Sequence, residues 1–217
     1  MPEGIIFDLD GTLVDTVPAR IDAWAAVLAE VGIAATHAQL EPMIGMDGRR
    51  LAREAAAVAG LELGDEAAEA IDRRSGELFD ERNRSPRPLP GARELLGDLE
   101  ERGVTWAIAT SSRREQVTAS VGVLGLHGAP KIVDGTHVAH AKPAPDLLLR
   151  AAGELLVAPE ACWYVGDSTW DMRASVAAGM RGIGVLAGAT VDAHALRAAG
   201  ASVVLDTLHD LQHELDG

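Results

Sequence analysis

The sequence predicts an α/β fold in which a doubly wound parallel sheet is interrupted, after its first strand, by an inserted domain of helices. Three observations predict it. From about residue 104 onward, short apolar strands alternate with helices, which indicates a parallel sheet covered on both faces. One more apolar strand stands near the N-terminus, at 5–9. Between these regions, residues 37–84 are alanine-rich and charged, follow a helical pattern and show no strand signal.

The first strand is followed by a helix and then by the helical block. A helix is predicted over 17–31, and Gly32 is a suitable residue to end it. Its apolar residues recur at helical spacing and are Ile21, Trp24, Leu28 and Val31. The block 37–84 is interrupted near 45–48 and 60–64, where glycines occur.

A proline-rich joint at 85–91 separates the helical block from the alternating part of the chain. The helices predicted after the joint are 92–103, 112–125, 144–156, 170–180 and 191–200. The strands predicted there are 104–110, 131–135, 161–166, 181–186 and 201–205. We therefore expect residues 1–16 and 86–217 to form the sheet domain and residues 17–85 to form a helical cap domain.

Composition narrows the class of protein. The chain has 217 residues, 47% of them apolar, and a net charge of −14. Such a surface repels nucleic acid and anionic membranes, but a local cation can still admit a small anion into a cleft. One cysteine, Cys162, rules out a disulfide within the chain. Neither a secretory leader nor a membrane span is recognisable, so we expect a cytoplasmic protein.

Polar side chains are predicted at the carboxyl ends of three strands. Asp8 and Asp10 close the N-terminal strand, Thr110 closes the first strand after the joint, and Asp167 closes the third. Lys142 lies just before a helix between the last two. Ligand sites in open parallel sheets lie at these strand ends, so we expect these side chains to meet.

The acidic residues in this set predict a metal ion. Asp8 and Asp10 point the same way along a strand and repel unless a cation neutralises them or one of them is protonated. An oxygen-rich site of Asp8, Asp167 and a backbone carbonyl suits Mg²⁺. The seven histidines are scattered, and no cluster with zinc spacing occurs.

The candidate site residues lie in four short motifs, which in chain order are "FDLDGTLVDT", "AIATSS", "AKPAPD" and "VGDSTWD". With these motifs the chain resembles the haloacid dehalogenase superfamily, in particular its phosphoglycolate phosphatase-like and β-phosphoglucomutase-like branch. The resemblance extends over essentially the whole chain. It implies a Rossmann-like core, a helical cap inserted between the first two motifs, and phosphoryl transfer to a carboxylate.

The resemblance implies a role for each motif residue. Asp8 would be the nucleophile that forms an aspartyl-phosphate. Asp10 would be the general acid and then the general base. Thr110 would hydrogen-bond a phosphate oxygen, and Lys142 would neutralise the nucleophile and the phosphoryl oxygens.

The metal ligands also follow from the resemblance. Mg²⁺ would be bound by Asp8, by the backbone carbonyl of Asp10 and by Asp167. Asp171 would be a further ligand or would hold a metal-bound water.

Supporting roles are predicted for four more residues. Gly11 lets the backbone turn near the phosphate, and Thr12 is expected to orient Asp10. Ser111 and Arg49 are candidates for substrate contact, although an arginine at position 49 could equally be solvated.

Several of these residues also have purely structural interpretations. Thr110, Ser111 and Ser112 could cap the helix that follows them. Asp15 is expected either to cap the helix 17–31 or to lie at a hinge. Trp170 is expected to pack against its neighbours rather than to contact substrate.

We expect a Mg²⁺-dependent phosphatase that acts on a small phosphorylated metabolite, phosphoglycolate-like or a sugar phosphate, as a monomer or weak homodimer. A phosphomutase is one alternative, but that branch carries a histidine where Arg20 stands and an acidic residue where Gly166 stands. A 2-haloacid dehalogenase is another, but that branch lacks the acid at Asp10. A non-catalytic binding protein is a third, and the intact set of motif acids speaks against it.

Overall fold

The computed structural model describes residues 1–216, with side chains through Leu215. The strands, numbered along the chain, are β1 (Gly4–Phe7), β2 (Val14–Asp15), β3 (Arg87–Pro88), β4 (Trp106–Ala109), β5 (Lys131–Val133), β6 (Cys162–Gly166), β7 (Arg181–Val185) and β8 (Val203–Leu205). The α-helices are α1 (Val17–Glu30), α2 (His37–Leu40), α3 (Gly48–Val58), α4 (Asp65–Arg82), α5 (Ala92–Glu101), α6 (Arg114–Gly122), α7 (Asp146–Leu155), α8 (Thr169–Ala178), α9 (Ala193–Ala199) and α10 (Leu208–Asp216).

Six of the strands form one parallel sheet in the order β5-β4-β1-β6-β7-β8. The N-terminal strand lies in the middle, and the chain extends the sheet to either side of it, so the predicted doubly wound α/β fold is confirmed. Phe7 is paired with Ile108 on one side and with Val165 on the other. This register brings the carboxyl ends of three central strands to the same edge.

Both faces of the sheet are covered because side chains alternate along each strand. Ile5 and Phe7 belong to an apolar cluster that includes leucines of α5 and α10. Ile6 points the other way, into a cluster built with α7 and α8. The two layers bury β1 completely.

A separate apolar cluster forms within the helical insertion. It is built from α1 to α4, and helix α1 packs along α4 while α3 packs on the same partner. One residue of the sheet domain, Trp170, joins this cluster. This packing supports boundaries near residues 16 and 86, which stay a prediction.

The joint between the two parts contains a small sheet that the sequence pattern does not reveal. Strands β2 and β3 pair antiparallel, with Val14 opposite Pro88 and Asp15 opposite Arg87. Asp15 is exposed on this two-stranded connection. It does not cap α1, because Thr16 occupies the residue before that helix and makes no capping hydrogen bond.

Helix α10 is a second element that we did not predict. Its buried residues are Leu208, Leu211 and Leu215, at helical spacing, and they pack on α5 and the sheet. Cys162 is buried at the start of β6 as a free thiol. Within the described residues, no helix has the length and apolar character needed to cross a membrane.

Candidate active site

Three carboxylates meet at the carboxyl edge of the sheet. Asp8 follows β1, Asp167 follows β6, and Asp171 lies in the first turn of α8. One oxygen from each lies within 4.8 Å of the others, and all three side chains are buried. The backbone of Asp8 continues the sheet by donating to the carbonyl of Val165 at 2.8 Å, which fixes where its side chain begins.

Lys142 lies among these carboxylates and is itself only 1% exposed. Its ammonium forms ion pairs with Asp8 Oδ1 and, at 2.8 Å, with Asp171 Oδ1. Burial disfavours its charge, but Asp171 and Asp8 outweigh burial and raise the pKa of Lys142 above its usual value. The lysine is therefore a permanent cation placed on the predicted nucleophile.

Asp171 already has four hydrogen-bond donors. Its Oδ1 accepts from Lys142 and, at 2.9 Å, from the hydroxyl of Tyr164. Its Oδ2 accepts from the amide of Ser168 at 3.0 Å and from the hydroxyl of Ser168 at 2.5 Å, which closes the capping box of α8. These bonds fit a residue that positions Lys142. The role of Asp171 toward a metal stays a prediction.

The donor set fits a hard divalent cation. Burial raises the pKa of Asp8 to about 7, with Lys142 opposing and Asp171 adding to the rise. Burial also raises the pKa of Asp167 well above its usual value, and Asp171 and Asp8 add to that effect. A buried carboxylate without enough positive charge takes up a proton or a cation, and all three groups offer the oxygen ligands that Mg²⁺ prefers.

The loop after β1 brings Gly11 and Thr12 against the metal-ligand candidate Asp167. Gly11 has φ +85°, and a Cβ added there would lie 2.3 Å from Asp167 Oδ2, so only glycine fits. The hydroxyl of Thr12 donates to Asp167 Oδ1 at 2.9 Å. Our expectation that Thr12 orients Asp10 is therefore wrong, because its hydroxyl points across the sheet edge to Asp167.

Asp10 is held instead by three other side chains. Its Oδ1 accepts from Thr16 at 2.6 Å, and its Oδ2 accepts from Ser112 at 2.5 Å and from Arg20 at 3.1 Å. Burial alone would raise its pKa, but the Arg20 charge and the hydrogen bonds from Ser112 and Thr16 outweigh burial, and the pKa of Asp10 is lowered. Asp10 is thus kept as a carboxylate two residues from Asp8.

The loop after β4 lies beside Asp10. Thr110 is buried, and its hydroxyl accepts from the amide of Ser112 at 3.1 Å. Ser111 donates to the carbonyl of Gly45 in the cap at 3.2 Å. None of these three residues caps α6, because Arg113 occupies the N-cap position of that helix.

A cavity of about 50 Å³ lies beside Asp8, between the sheet domain and the cap. Asp8, Asp10, Lys142 and the loop 110–112 form its inner wall. The polar residues on its outer wall, which we did not identify from the sequence, are Arg20, Asp72, Ser75, Arg113 and Gln116. No single motif contains them, because three elements far apart in the sequence supply them: α1, α4 and α6 with its N-cap.

Arg49 is not brought to this cavity. Its guanidinium donates to Asp47 Oδ2 at 2.9 Å and to the carbonyl of Ala139 at 3.2 Å, and the side chain is 40% exposed. The residue before it, Gly48, lines the cavity instead. A substrate contact by Arg49 stays a prediction.

Trp170 packs as expected, and it does so across the boundary with the cap. Its indole donates to the carbonyl of Pro42 at 2.9 Å. The guanidinium groups of Arg50 and Arg173 lie 4.9 Å and 4.8 Å from its ring centre. The residue next to Asp171 therefore anchors the closed cap.

Comparisons with known proteins agree with this geometry. The sequence profile of the haloacid dehalogenase-like hydrolases matches residues 5–185. The fructose-1-phosphate phosphatase YqaB of Escherichia coli is 33% identical over 188 residues, which are 84% of this chain and 95% of that protein. A phosphoglycolate phosphatase of Xanthomonas campestris is 32% identical over 198 residues, covering 86% of this chain and 84% of its own length.

The solved structure of a hydrolase from Pseudomonas syringae superposes with a TM-score of 0.93 at 33% identity, covering 98% of this chain and 97% of that one. Profile, relatives and fold confirm the resemblance drawn from the four motifs. The chain belongs to the haloacid dehalogenase-like hydrolase family.

Proposed function

We propose that the chain is a Mg²⁺-dependent phosphatase that hydrolyses a small phosphorylated metabolite through an aspartyl-phosphate on Asp8. The observation that supports it most is the buried group of Asp8, Asp167 and Lys142 at the carboxyl edge of the sheet. A lysine and a divalent cation there would attract a phosphate despite the net charge of −14. The relatives named above act on phosphate esters, according to their names.

In the first step, a carboxylate oxygen of Asp8 attacks phosphorus and the bond from phosphorus to the ester oxygen breaks. For this step Asp10 first takes up a proton from solvent, and it gives that proton to the departing oxygen, so that the alcohol leaves uncharged. Lys142 stabilises the negative charge on the transferring group. Thr110 lies at the end of the next strand, where it can position a phosphoryl oxygen.

In the second step, Asp10 takes a proton from water as the water oxygen attacks phosphorus. The bond between phosphorus and Asp8 breaks and inorganic phosphate leaves. The hydrogen bonds from Arg20, Ser112 and Thr16 favour the ionised form of Asp10, which is the form that this step needs. When bound by Asp8, Asp167 and the Asp10 carbonyl, Mg²⁺ would supply positive charge that offsets the charge of the phosphoryl oxygens.

A phosphomutase remains the nearest alternative, and two observations speak against it. Arg20, in place of the histidine of that branch, is committed to Asp10, Ser112 and Gln116. At Gly166, an added Cβ would lie 2.5 Å from the Cβ of Asp171, which leaves no space for the acidic side chain of that branch.

Phosphate release from a panel of phosphorylated metabolites, with Mg²⁺ and with chelator, tests the proposal. We expect release that depends on Mg²⁺ and is lost in Asp8→Asn. Formation of an isomeric phosphate ester without release would identify a mutase, and substrate binding without turnover would identify a binding protein. A cytoplasmic location and a monomer or weak homodimer stay predictions.

A further inference from the structure

The cationic side chains that line the cavity are paired with carboxylates. Three cationic side chains line the cavity: Lys142, Arg20 and Arg113. Lys142 is paired with Asp8 and Asp171, and Arg20 is paired with Asp10. No cation among the described lining residues is left over for an anionic group beyond the phosphate.

Arg113 is the third of these cations, and it faces two acids of the cap helix α4. Its Nη2 lies 2.6 Å from Asp72 Oδ2 and 2.7 Å from Glu69 Oε1, and its Nε donates to Asp72 Oδ2 at 3.1 Å. Asp72 lines the cavity, with 18% of its side chain exposed. The charge of Arg113 is therefore more than balanced by its two carboxylate partners, Asp72 and Glu69.

The second oxygen of Asp72 lies against the first residue of α3. Within the described part of the chain, hydrogen bonds reach Asp72 through Oδ2, from Arg113. Oδ1 lies beside Gly48, where an added Cβ would come within 1.9 Å of it. Because Asp72 and Gly48 both line the cavity, the Asp72 carboxylate can accept a hydrogen bond from a hydroxyl there and repels another anion.

Neutral groups complete the wall. The Oε1 of Gln116 accepts from Arg20 at 3.0 Å and from the amide of Arg113 at 3.2 Å, which orients its amide group. The Ser75 hydroxyl lies on the same wall, and Trp24 and Leu51 supply apolar surface. Such a mixture of acceptor, amide, hydroxyl and apolar groups suits carbon chains that carry hydroxyls.

We propose that the alcohol released by this enzyme is an uncharged polyol or sugar, and that Asp72 is the residue that discriminates against leaving groups bearing a carboxylate. This inference rests on the proposed phosphatase function. A carboxylate in the outer cavity would meet Asp72 without a free cation to offset it, whereas a hydroxyl would donate to the Asp72 carboxylate.

Matched substrates test it. Hydroxyethyl phosphate carries a hydroxymethyl group where phosphoglycolate carries a carboxylate. Glycerol phosphate and phosphoglycerate differ in the same way. For each pair, the ratio is kcat/KM of the hydroxyl ester divided by kcat/KM of the carboxylate ester. Both values are measured with Mg²⁺ on one enzyme sample. This ratio is independent of the folded fraction, so a poorly folding variant still gives an answer.

We expect the wild-type ratio to exceed about 10, and Asp72→Asn to lower it about tenfold, since it removes one of the two anions that compensate Arg113. Arg113→Gln should raise the ratio, because it leaves Asp72 uncompensated. Glu77→Gln is the control. It also removes a negative charge from α4, but Glu77 is paired with Arg74, so the ratio should stay unchanged.

A wild-type ratio of one or less, or a ratio unchanged in Asp72→Asn, would overturn the role of the outer wall while leaving a phosphatase in place. Absence of phosphate release from all four esters, from acetyl phosphate and from the wider panel of phosphorylated metabolites would overturn the proposed function, and this inference with it.

Discussion

At the scale of single residues, the charge balance of the site depends on Lys142. It is buried with Asp8 and Asp171 on either side, and the ring of Tyr164 lies 5.4 Å from its ammonium. Removing one partner of a buried ion pair is costly because the other charge is left without compensation. Lys142 is therefore expected to serve both stability and phosphoryl transfer.

The variant Lys142→Met separates these two contributions. We expect the free energy of unfolding to fall by about 3–5 kcal/mol, as for other broken buried ion pairs. Turnover should fall at least about 100-fold, because the charge on the phosphoryl group loses its donor. Added Mg²⁺ should recover part of the melting temperature but not the turnover. Lys131→Met, on the surface, is the control, and near-normal turnover of Lys142→Met would contradict the assignment.

Thr12 offers a second test at this scale. Its hydroxyl orients Asp167 at 2.9 Å, and loss of such a partner to a metal ligand typically costs about tenfold or more in metal affinity. Thr12→Val should therefore require about ten times more Mg²⁺ for half-maximal activity. Thr12→Ser keeps the hydroxyl and should behave as wild type. Equal Mg²⁺ requirements in Thr12→Val and wild type would show that this bond does not support the metal site.

At the scale of elements, helix α3 is anchored at its start by Asp47. The Asp47 carboxylate accepts from the amide of Arg50 at 3.1 Å as an N-cap, and it pairs with Arg49. The backbone amide of Asp47 donates to the carbonyl of Lys142 at 3.1 Å, which joins the cap to the catalytic loop. The start of this helix therefore links the cap to the site.

Asp47→Ala should lower the free energy of unfolding by about 1 kcal/mol near pH 7, measured by urea denaturation. Burial opposes ionisation of Asp47, but the bonds from Arg49 and Arg50 outweigh burial and lower its pKa. A lowered folded-state pKa stabilises the protein fully above the unfolded value of about 3.9, and this contribution is lost as pH falls through the folded value. The difference between variant and wild type should thus shrink below about pH 4.

Asp47→Asn is the matched control, because it keeps a side-chain acceptor for the helix. It should retain most of the capping contribution and show a weaker dependence on pH. A difference between Asp47→Ala and wild type that grows on acidification would contradict the assigned sign.

At the scale of the whole molecule, the structure shows the cap closed over the site. The cavity of about 50 Å³ is small for a phosphorylated metabolite, so we expect the cap to move when substrate enters. The closed arrangement is held by Trp170 against Pro42, by Ser111 against Gly45 and by Arg113 against α4. The two-stranded connection of β2 and β3 is the expected hinge.

Trp170→Phe tests this closure. The variant keeps an aromatic ring in the apolar cluster of the cap but loses the hydrogen bond to the Pro42 carbonyl. We expect KM to rise several-fold while kcat changes less, because the closed state is less favoured before chemistry begins. Trp163→Phe, away from the cap on β6, is the control. Steady-state kinetics with unchanged KM in Trp170→Phe would contradict the anchoring role.

Much of this architecture could be predicted, because strand ends of a parallel sheet must meet at one edge. Asp8, Thr110, Lys142 and Asp167 were predicted together for that reason. Strands β2 and β3 have two residues each, too few to show a period. The leucines of α10 did show helical spacing, and that signal was missed.

The outer wall of the cavity could not be predicted. The contacts of Arg20 with Asp10 and of Arg113 with Asp72 depend on how the cap sits on the sheet domain. No local pattern encodes that placement. The same reason explains why Gly48 rather than Arg49 lines the cavity.

The central claim is that Asp8 carries the phosphoryl group, and trapping tests it most directly. Acetyl phosphate needs no protonation of its leaving group, so Asp10→Asn with Mg²⁺ should form the intermediate but hydrolyse it slowly. Acid quench and peptide mass spectrometry should find one hydroxylamine-sensitive phosphoryl group on Asp8. A phosphoryl group on another residue would contradict the account. So would a phosphoryl group on the double variant that carries both Asp8→Asn and Asp10→Asn.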